Sequence, residues 1–389
     1  MNDLIGIPGV YQSTAAAQPR PELATGVPVF LGYANTGSLA EAVKLTAWPE
    51  FVERYGPPLE DGYLGAAVRG FFVNGGATCY VTRLRDELPL IEAVTSGMSV
   101  LDGAEFADLV CLPDAARAPG DAIAAQRHVL ESIYADHRIA ILDTLPGEGL
   151  DGAVVQWQQL HEPTTAEWSP ECTRNGALYF PWVRVPMGDG SIRSVPPCGH
   201  IAGVIARTDR RVGVFQPPAN EVVEGITDLE TTLTAGEQRQ LDPHAVVNCL
   251  RAFPGRGIRV WGARTTSGEP EWRHVSVRRL VLTMARWFEL QMADVVMEPN
   301  APELWARIRR EVNDYLFKLF RAGALRGATP QEAYFLRCDD ETTPAAVRDR
   351  GEVCVMVGIA PVVAAEFLIV RLVHGAAAVS VGSVTDARV

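Results

Sequence analysis

An excess of positive charge is missing from this 389-residue chain: 35 Lys and Arg stand against 47 Asp and Glu, a formal net charge of −12. Neutralising phosphates requires clustered cations, so nucleic-acid binding is excluded as an expectation, and the acidic balance favours solubility instead. Long apolar runs are missing too. The longest, Val353 to Val373, is interrupted by Gly358, Pro361, Glu366 and Arg371, too polar for a membrane span. The N-terminus, Met1-Asn2-Asp3-Leu4-Ile5-Gly6-Ile7-Pro8-Gly9, has neither a basic segment nor a long apolar core, so no secretory signal is expected and synthesis is placed in the cytoplasm. The seven cysteines (Cys79, Cys111, Cys172, Cys198, Cys249, Cys338, Cys354) never fall as Cys-x-x-Cys, which indicates neither a zinc knuckle nor a disulfide scaffold. They read as buried small hydrophobes in a reducing compartment.

Catalytic and cofactor signatures are equally sparse. The histidines at 128, 137, 161, 200, 244, 274 and 374 form no ligand pair at helical spacing, so a metal site would have to be built across distant segments. Gly255, Gly257 and Gly262 do not make Gly-x-Gly-x-x-Gly, because Val260 holds the third position, and Asn74-Gly75-Gly76 lacks a following Gly-Lys-Ser or Gly-Lys-Thr. No phosphate loop is expected, nor is there a Gly-x-Ser-x-Gly nucleophile motif. Asp339-Asp340-Glu341 reads as a solvated loop or partner contact rather than a paired-carboxylate site. In Trp261-Gly262-Ala263-Arg264-Thr265 the tryptophan is expected to pack and Arg264 to pair or cap carbonyls, with anion binding as the alternative. The expected inventory is therefore no catalytic residue, no cofactor and no metal.

What is present is ordinary globular material, 47% hydrophobic and 21% charged, enough for two or three domains. Residues 1–26 carry Pro8, Pro19 and Pro21 around Ala15-Ala16-Ala17, an extended arm in which Val10-Tyr11-Gln12-Ser13-Thr14 has strand formers to offer a partner. Over 27–84 the pattern is strand (Val27 to Tyr33), helix (Trp48 to Tyr55, stopped by Gly56-Pro57-Pro58), helix (Leu64 to Phe72) and strand (Cys79 to Leu84). Residues 85–239 alternate strands at Ala107 to Leu112, Ile139 to Asp143 and Ala177 to Val185 with helices at Ala122 to Tyr134, Val154 to Leu160 and from Gly199, an α/β layer. Within 240–375, Val277, Leu280, Val281, Met284, Trp287, Phe288 and Gln291 mark an amphipathic helix. Asp294 to Met297 reads as extended. Asn300-Ala301-Pro302-Glu303 looks like a capping box opening a second helix, Leu304 to Phe320, stopped by Gly323. Strands at Val353 to Ile359 and Phe367 to Val373 follow, then a C-terminal arm, 376–389, with no evident partner in its own chain. The overall class is mixed α/β and α+β, with a central α/β layer, a C-terminal α+β domain and extended arms.

Several separate stretches resemble the tail sheath proteins of contractile phages, bacteriocins and contractile injection systems: Pro8-Gly9-Val10-Tyr11, Pro28 to Ala34, Trp48 to Gly56 and Ala67 to Gly76 near the start. Val260 to Thr265, Glu298-Pro299-Asn300, Leu304-Trp305, Gly323 to Pro330, Cys338-Asp339, Gly358 to Pro361 and Ala365-Glu366-Phe367 carry the likeness in the last third. The resemblance covers roughly 1–84 and 240–375 and is of the shorter sheath type. It implies a C-terminal polymerisation domain and a subunit that stacks helically around an inner tube and contracts, without nucleotide or cofactor, to drive the tube through an envelope. Implied partners are further copies of the chain, the tube protein, and baseplate and terminal cap proteins, in a phage tail-like particle that can be released outside the cell. Arm strands would add to a neighbour's C-terminal domain, a heterologous contact that propagates as a helix. On that basis Val10, Tyr11, Phe367, Ile369, Val379 and Val381 are candidate subunit-interface residues. Arg307, Arg310, Lys318 and Arg321 are candidate tube-facing cations, set against a surface salt-bridged internally from Arg307 to Glu311, Arg310 to Asp314 and Asp314 to Lys318. Alternative readings are a baseplate-associated paralogue and an α/β small-molecule enzyme.

Overall fold

The runs Pro28–Gly32, Ile139–Asp143 and Gly176–Phe180 are buried at every position, as strands covered on both faces must be. A computed structural model of the chain describes residues 23–383, apart from 105, 164–167, 189, 235, 238–245, 294–297, 363–367 and 376–378, with the side chains of 102 and 379–383 also left aside. In chain order the first half holds β1 (Pro28–Gly32), β2 (Val43–Leu45), α1 (Trp48–Tyr55), α2 (Leu64–Val73), β3 (Cys79–Arg83), α3 (Leu90–Met98), β4 (Leu109–Cys111), α4 (Pro119–Ile133), β5 (Ile139–Asp143) and α5 (Leu150–Gln159). Then follow β6 (Gly176–Phe180), β7 (Val183–Pro186), β8 (Ile192–Val195), α6 (Cys198–Arg211), β9 (Asp228–Leu229), β10 (Asn248–Phe253) and β11 (Gly257–Val260).

One eight-stranded sheet, ordered β11-β10-β6-β5-β4-β1-β3-β2, joins most of these strands. Its central pairings are parallel and only the edges β2 and β11 run antiparallel. Alternate residues of β1 face opposite layers: Phe30 lies in one core with Val68 and Phe71 of α2 and Ile201 of α6, its ring 5.9 Å from that of Phe71, while Val29 and Leu31 belong to the other with Ala93 of α3 and Val129 of α4. Helices α2 and α6 lie backbone to backbone, since a Cβ on Gly199 would sit 2.1 Å from the Ala67 carbonyl and one on Gly203 2.5 Å from that of Phe71. A separate three-stranded sheet, β8-β7-β9, flanks this layer.

The last third forms α7 (Val275–Gln291), α8 (Pro302–Arg321), β12 (Tyr334–Arg337), β13 (Val353–Ile359), β14 (Leu368–His374) and β15 (Val379–Ser383), the strands making an antiparallel sheet in the order β12-β13-β14-β15. Alternate residues of β14, Val370 and Leu372 among them, pack with Val355 and Val357 of β13 on Met284 and Phe288 of α7 and Ile308 and Leu316 of α8. Trp287 stacks on Tyr315 at 4.1 Å, tying the two helices together. Helix α7 also sends Val275 and Leu282 into the core of the large sheet, so it belongs to both layers.

The fold departs from the sequence reading at definite places. The divisions at 84/85 and 239/240 fall inside the large sheet, because β10 and β11 complete it beside β6. Ala177 to Val185 is two strands of two different sheets, with Pro181, which lacks an N–H, between them. The sequence reading places no helix at α3 and no strand at β2, β8, β9, β10, β11 or β12. Asn300 caps nothing: Ala301 is the N-cap residue of α8, while Asn300 accepts a hydrogen bond from Trp305 Nε1 (2.8 Å) and donates to the Glu352 carbonyl (2.8 Å). The C-terminal arm does find a partner in its own chain, since β15 pairs with β14 from Val370↔Ser383 to His374↔Val379. The first 22 residues, with Val10 and Tyr11, lie outside the described residues, as do Asp294 to Met297 and Phe367.

Candidate assembly surface

Assembly residues should gather where backbone hydrogen-bonding groups or charges are left over, and the C-terminal sheet supplies both. Its β15 edge is made by residues of the arm, with Val379 opposite His374 and Val381 opposite Leu372. Ile369 is half-buried in β14, opposite Gly358. At the other end of the sheet, no strand among the described residues pairs with the outer edge of β12. Beside that edge runs a groove of ≈ 570 Å³ lined by Arg309, Arg310, Asn313, Tyr334 and Phe335. An unpaired edge next to open space is a template for a further strand.

The candidate tube-facing cations divide. Arg307 is half-buried and committed within the chain, to Glu298 and, at 3.0 Å, to Glu311. Arg310, Lys318 and Arg321 are exposed on the outer face of α8, and Phe317 between them is 41% exposed. The helix stops where Gly323 takes a φ of +80°, a left-handed conformation natural to glycine.

The root of the N-terminal arm is pinned rather than loose. The N–H groups of Gly26 and Val27 donate to the two carboxylate oxygens of Asp108 at 3.1 and 2.7 Å. Asp108 accepts from Arg279 of α7 at 2.8 Å, and the same guanidinium is held at 2.8 and 2.6 Å by Asp209 of α6. All three side chains are buried. Burial alone would depress the Arg279 pKa, but Asp209 and Asp108 outweigh it and raise it above the ordinary arginine value. Gly26, at φ +69°, has no room for a side chain, its Cβ position lying 2.6 Å from Ala206 Cα. One buried cation therefore fastens the arm root to α6 and to the helix that carries the C-terminal sheet. The reading of the sequence missed this cluster; its one visible trace is Arg278-Arg279 beside the apolar periodicity of α7.

Elsewhere the candidates are structural. All seven cysteines are buried, and burial pushes the thiols of Cys249 and Cys338 up to about 12, the opposite of what a nucleophile needs. Among the described residues no group of His, Cys, Asp and Glu is placed to hold a metal, and no helix is long and apolar enough to cross a membrane. Trp261 is 41% exposed and leans on Phe253 at 4.8 Å, while the backbone of Arg264 exchanges hydrogen bonds with the side chain of Asn248. Asp339 accepts from the N–H groups of Glu341 and Thr342, so the acidic cluster is a folded turn.

Residues 160–266 match the phage tail sheath protein central domain and 267–374 the phage tail sheath C-terminal domain, together more than half of the chain. Among solved structures, the contracted sheath complex of the extracellular contractile injection system PVC is 26% identical, with a TM-score of 0.73 over 93% of this chain and 95% of that one. The contracted helical sheath of the anti-feeding prophage is 28% identical, TM-score 0.72, over 93% and 97%. A chain of the anti-feeding prophage baseplate is 28% identical, TM-score 0.70, over 93% and 97%. No curated protein matches the chain.

Proposed function

The chain belongs to the phage tail sheath family, and from that premise we propose that it is the structural subunit of a contractile sheath, polymerising helically around an inner tube and shortening to drive the tube through a target envelope. The observation that carries this is the C-terminal sheet, unpaired at β12 among the described residues and bordered at its other edge by a strand that belongs to the arm. In the free chain β15 occupies that edge itself. The same residues laid on a neighbour's β14 make the domain-swapped, non-closing contact from which a helix grows. Interface roles for Val10, Tyr11, Phe367, Ile369, Val379 and Val381, and tube contact by Arg310, Lys318 and Arg321, belong to this reading. Arg307 contributes instead by holding the face of α8 in shape.

No fuel is required. The work is stored in the extended lattice, kinetically trapped above a contracted one, and a gap of on the order of a few kcal/mol per subunit suffices when many copies act together. Neither turnover of ATP nor a stoichiometric metal is expected, which phosphate-release and metal assays check. The particle is assembled from chains made in the cytoplasm, with a baseplate and a terminal cap completing it.

The test is negative-stain microscopy of the chain expressed with its tube partner, expected to give striated cylinders. A disulfide ladder sharpens it. With Val373→Cys and Ser380→Cys, whose positions face each other across β14 and β15, in a Cys354→Ser background because Cys354 also faces position 373, assembled particles should yield covalent multimers. Monomers alone would sink strand exchange at this edge. The 28% identity to a baseplate chain favours a second reading, a baseplate-associated paralogue; copy number in purified particles separates the two, because a sheath is among their most abundant chains.

A further inference from the structure

Apart from the assembly surface, the central layer holds a cavity of ≈ 330 Å³ between α2, α6 and the β7–β8 hairpin. That volume is at the lower end of what small-molecule sites occupy. Its walls are largely apolar, with Trp48, Val185 and Met187 among the lining residues, and Trp48 is held flat by stacking on Phe51 at 5.1 Å. The polar side chains that line it are Arg69, Arg193 and His200. Among the described residues no carboxylate lines it and neither arginine forms an ion pair. Arg193 is positioned from within the chain, its guanidinium lying 4.6 Å over the Tyr63 ring and donating to the Gly62 carbonyl at 3.0 Å.

His200 completes the set. It is 2% exposed and its Nδ1 has no hydrogen-bond partner. The ring edge carrying Nδ1 lies against Gly70 of the cavity wall, only 2.6 Å from where a Cβ on that residue would be. Burial holds the imidazole neutral, its pKa lowered to about 4, so at neutral pH it offers a hydrogen bond rather than a charge. Two unpaired cations, an unsatisfied buried nitrogen and an aromatic wall in one cavity are complementary to a ligand with one anionic end and an apolar body.

We infer that this cavity is a binding site for a small organic carboxylate with an aromatic or branched apolar body, the carboxylate held by Arg69 and Arg193 and the body lying among Trp48, Val185 and Met187. The site is independent of strand exchange and of the sheath reading.

Calorimetric titration of the full chain with 3-phenylpropionate tests it, with 3-phenylpropionamide as the uncharged control. The carboxylate should bind, and the amide should bind at least about tenfold more weakly, the loss of a charge-assisted hydrogen bond. Arg69→Gln combined with Arg193→Gln should weaken the carboxylate by about tenfold or more while leaving the amide unchanged. Ala66→Phe, which fills the cavity from α2, should abolish binding of both in a chain whose circular dichroism is unaltered. Absence of heat at millimolar ligand, equal binding of acid and amide, or an unchanged Kd in Ala66→Phe would each overturn the assignment. So would assembly that fails in the double arginine variant when the wild type binds no carboxylate, since the cavity would then serve an acidic side chain of a neighbouring copy.

Discussion

The two principal sheets of this chain are built to opposite specifications. The eight-stranded sheet is parallel through its middle and buried on both faces. Its edges are managed: β2 is three residues long, and β11 is covered by residues 220–223, which exchange hydrogen bonds with Ile258 and Val260. The four-stranded sheet is antiparallel and packs one face on α7 and α8, with no strand among the described residues pairing the outer edge of β12 and the arm's own strand at the other edge. A finished core and an extendable edge thus sit in one chain, joined through α7. Covered edges stop edge-to-edge association, and an open edge invites it.

Removing the arm breaks the comparison most sharply. Truncation of residues 376–389 deletes β15 and exposes the edge of β14, and polymers are expected to vanish from sedimentation profiles while the circular dichroism of the large sheet and its helices persists. Deletion of residues 1–20 should act likewise. Polymers of normal length from both truncations would mean that the arms are not the links.

Next in size is the pin between the sheets. Arg279→Met leaves Asp108 and Asp209 buried without their shared cation, a change that costs about 3–5 kcal/mol. Equilibrium denaturation should register that loss and a less cooperative transition, the two sheets no longer unfolding together. A midpoint unchanged from wild type would show that α7 is held by its apolar contacts alone.

A third variant probes only the large sheet. Asp143, at the end of β5, accepts from the Cys198 N–H at the start of α6 (2.8 Å), but its other carboxylate oxygen has no partner. Burial pushes its pKa from the ordinary 3.8 up to about 7, against the opposing pull of the Cys198 hydrogen bonds. Between those values the folded chain binds more protons than the unfolded one. The stabilisation is therefore fully present below 3.8 and lost as pH rises through about 7. Asp143→Asn keeps an acceptor for Cys198 and removes the titration, so it should be clearly more stable than wild type at about pH 8 and differ little at about pH 4. A parallel pH dependence in both proteins would refute the assignment.

The smallest effects belong to the face of α8. Arg310→Ala, Lys318→Ala and Arg321→Ala are exposed changes, each expected to alter stability by no more than about 0.5 kcal/mol, yet together to lower the yield of tube-filled sheaths in a salt-dependent way. Arg307→Ala should instead cost up to about 1 kcal/mol through Glu298 and Glu311. Equal tube filling by the triple variant would remove α8 from the tube interface.

Elements with strong local punctuation were legible without the structure. Trp48–Tyr55 begins and ends where the sequence reading placed it because Gly56-Pro57-Pro58 cannot continue a helix, and Ile139–Asp143 and Val353–Ile359 likewise stand as read. The helix from Leu304 was visible in its periodicity, but its cap was not: Asn300 turns from the helix N-terminus to the nearby Trp305 and to the carbonyl of Glu352, far along the chain. The candidate cations of α8 were legible as charges. The Arg307–Glu311 pair was legible as an i,i+4 contact, whereas the second partner of Arg307, Glu298, and the exposure of Arg310 came only from the structure. The cavity around His200 left no trace, its lining coming from α1, α2, β7, β8 and α6 and the turns beside them.

By itself the sequence determined the strongly punctuated helices and strands, Trp48–Tyr55, Ile139–Asp143 and Val353–Ile359 among them, that the chain is acidic, and that its C-terminal third resembles a sheath, because propensity, hydrophobic period and turn residues act over a few neighbours. Only the tertiary structure decided that β10 and β11 complete the large sheet, that β15 returns to β14, and that Arg279 gathers Asp108 and Asp209 at the root of the arm. The β10–β6 pairing and the Arg279 cluster join residues far apart in the chain, while β14 and β15 are a local hairpin; in each case a strand edge or a buried charge carries no mark of which partner will satisfy it until the chain has closed around it.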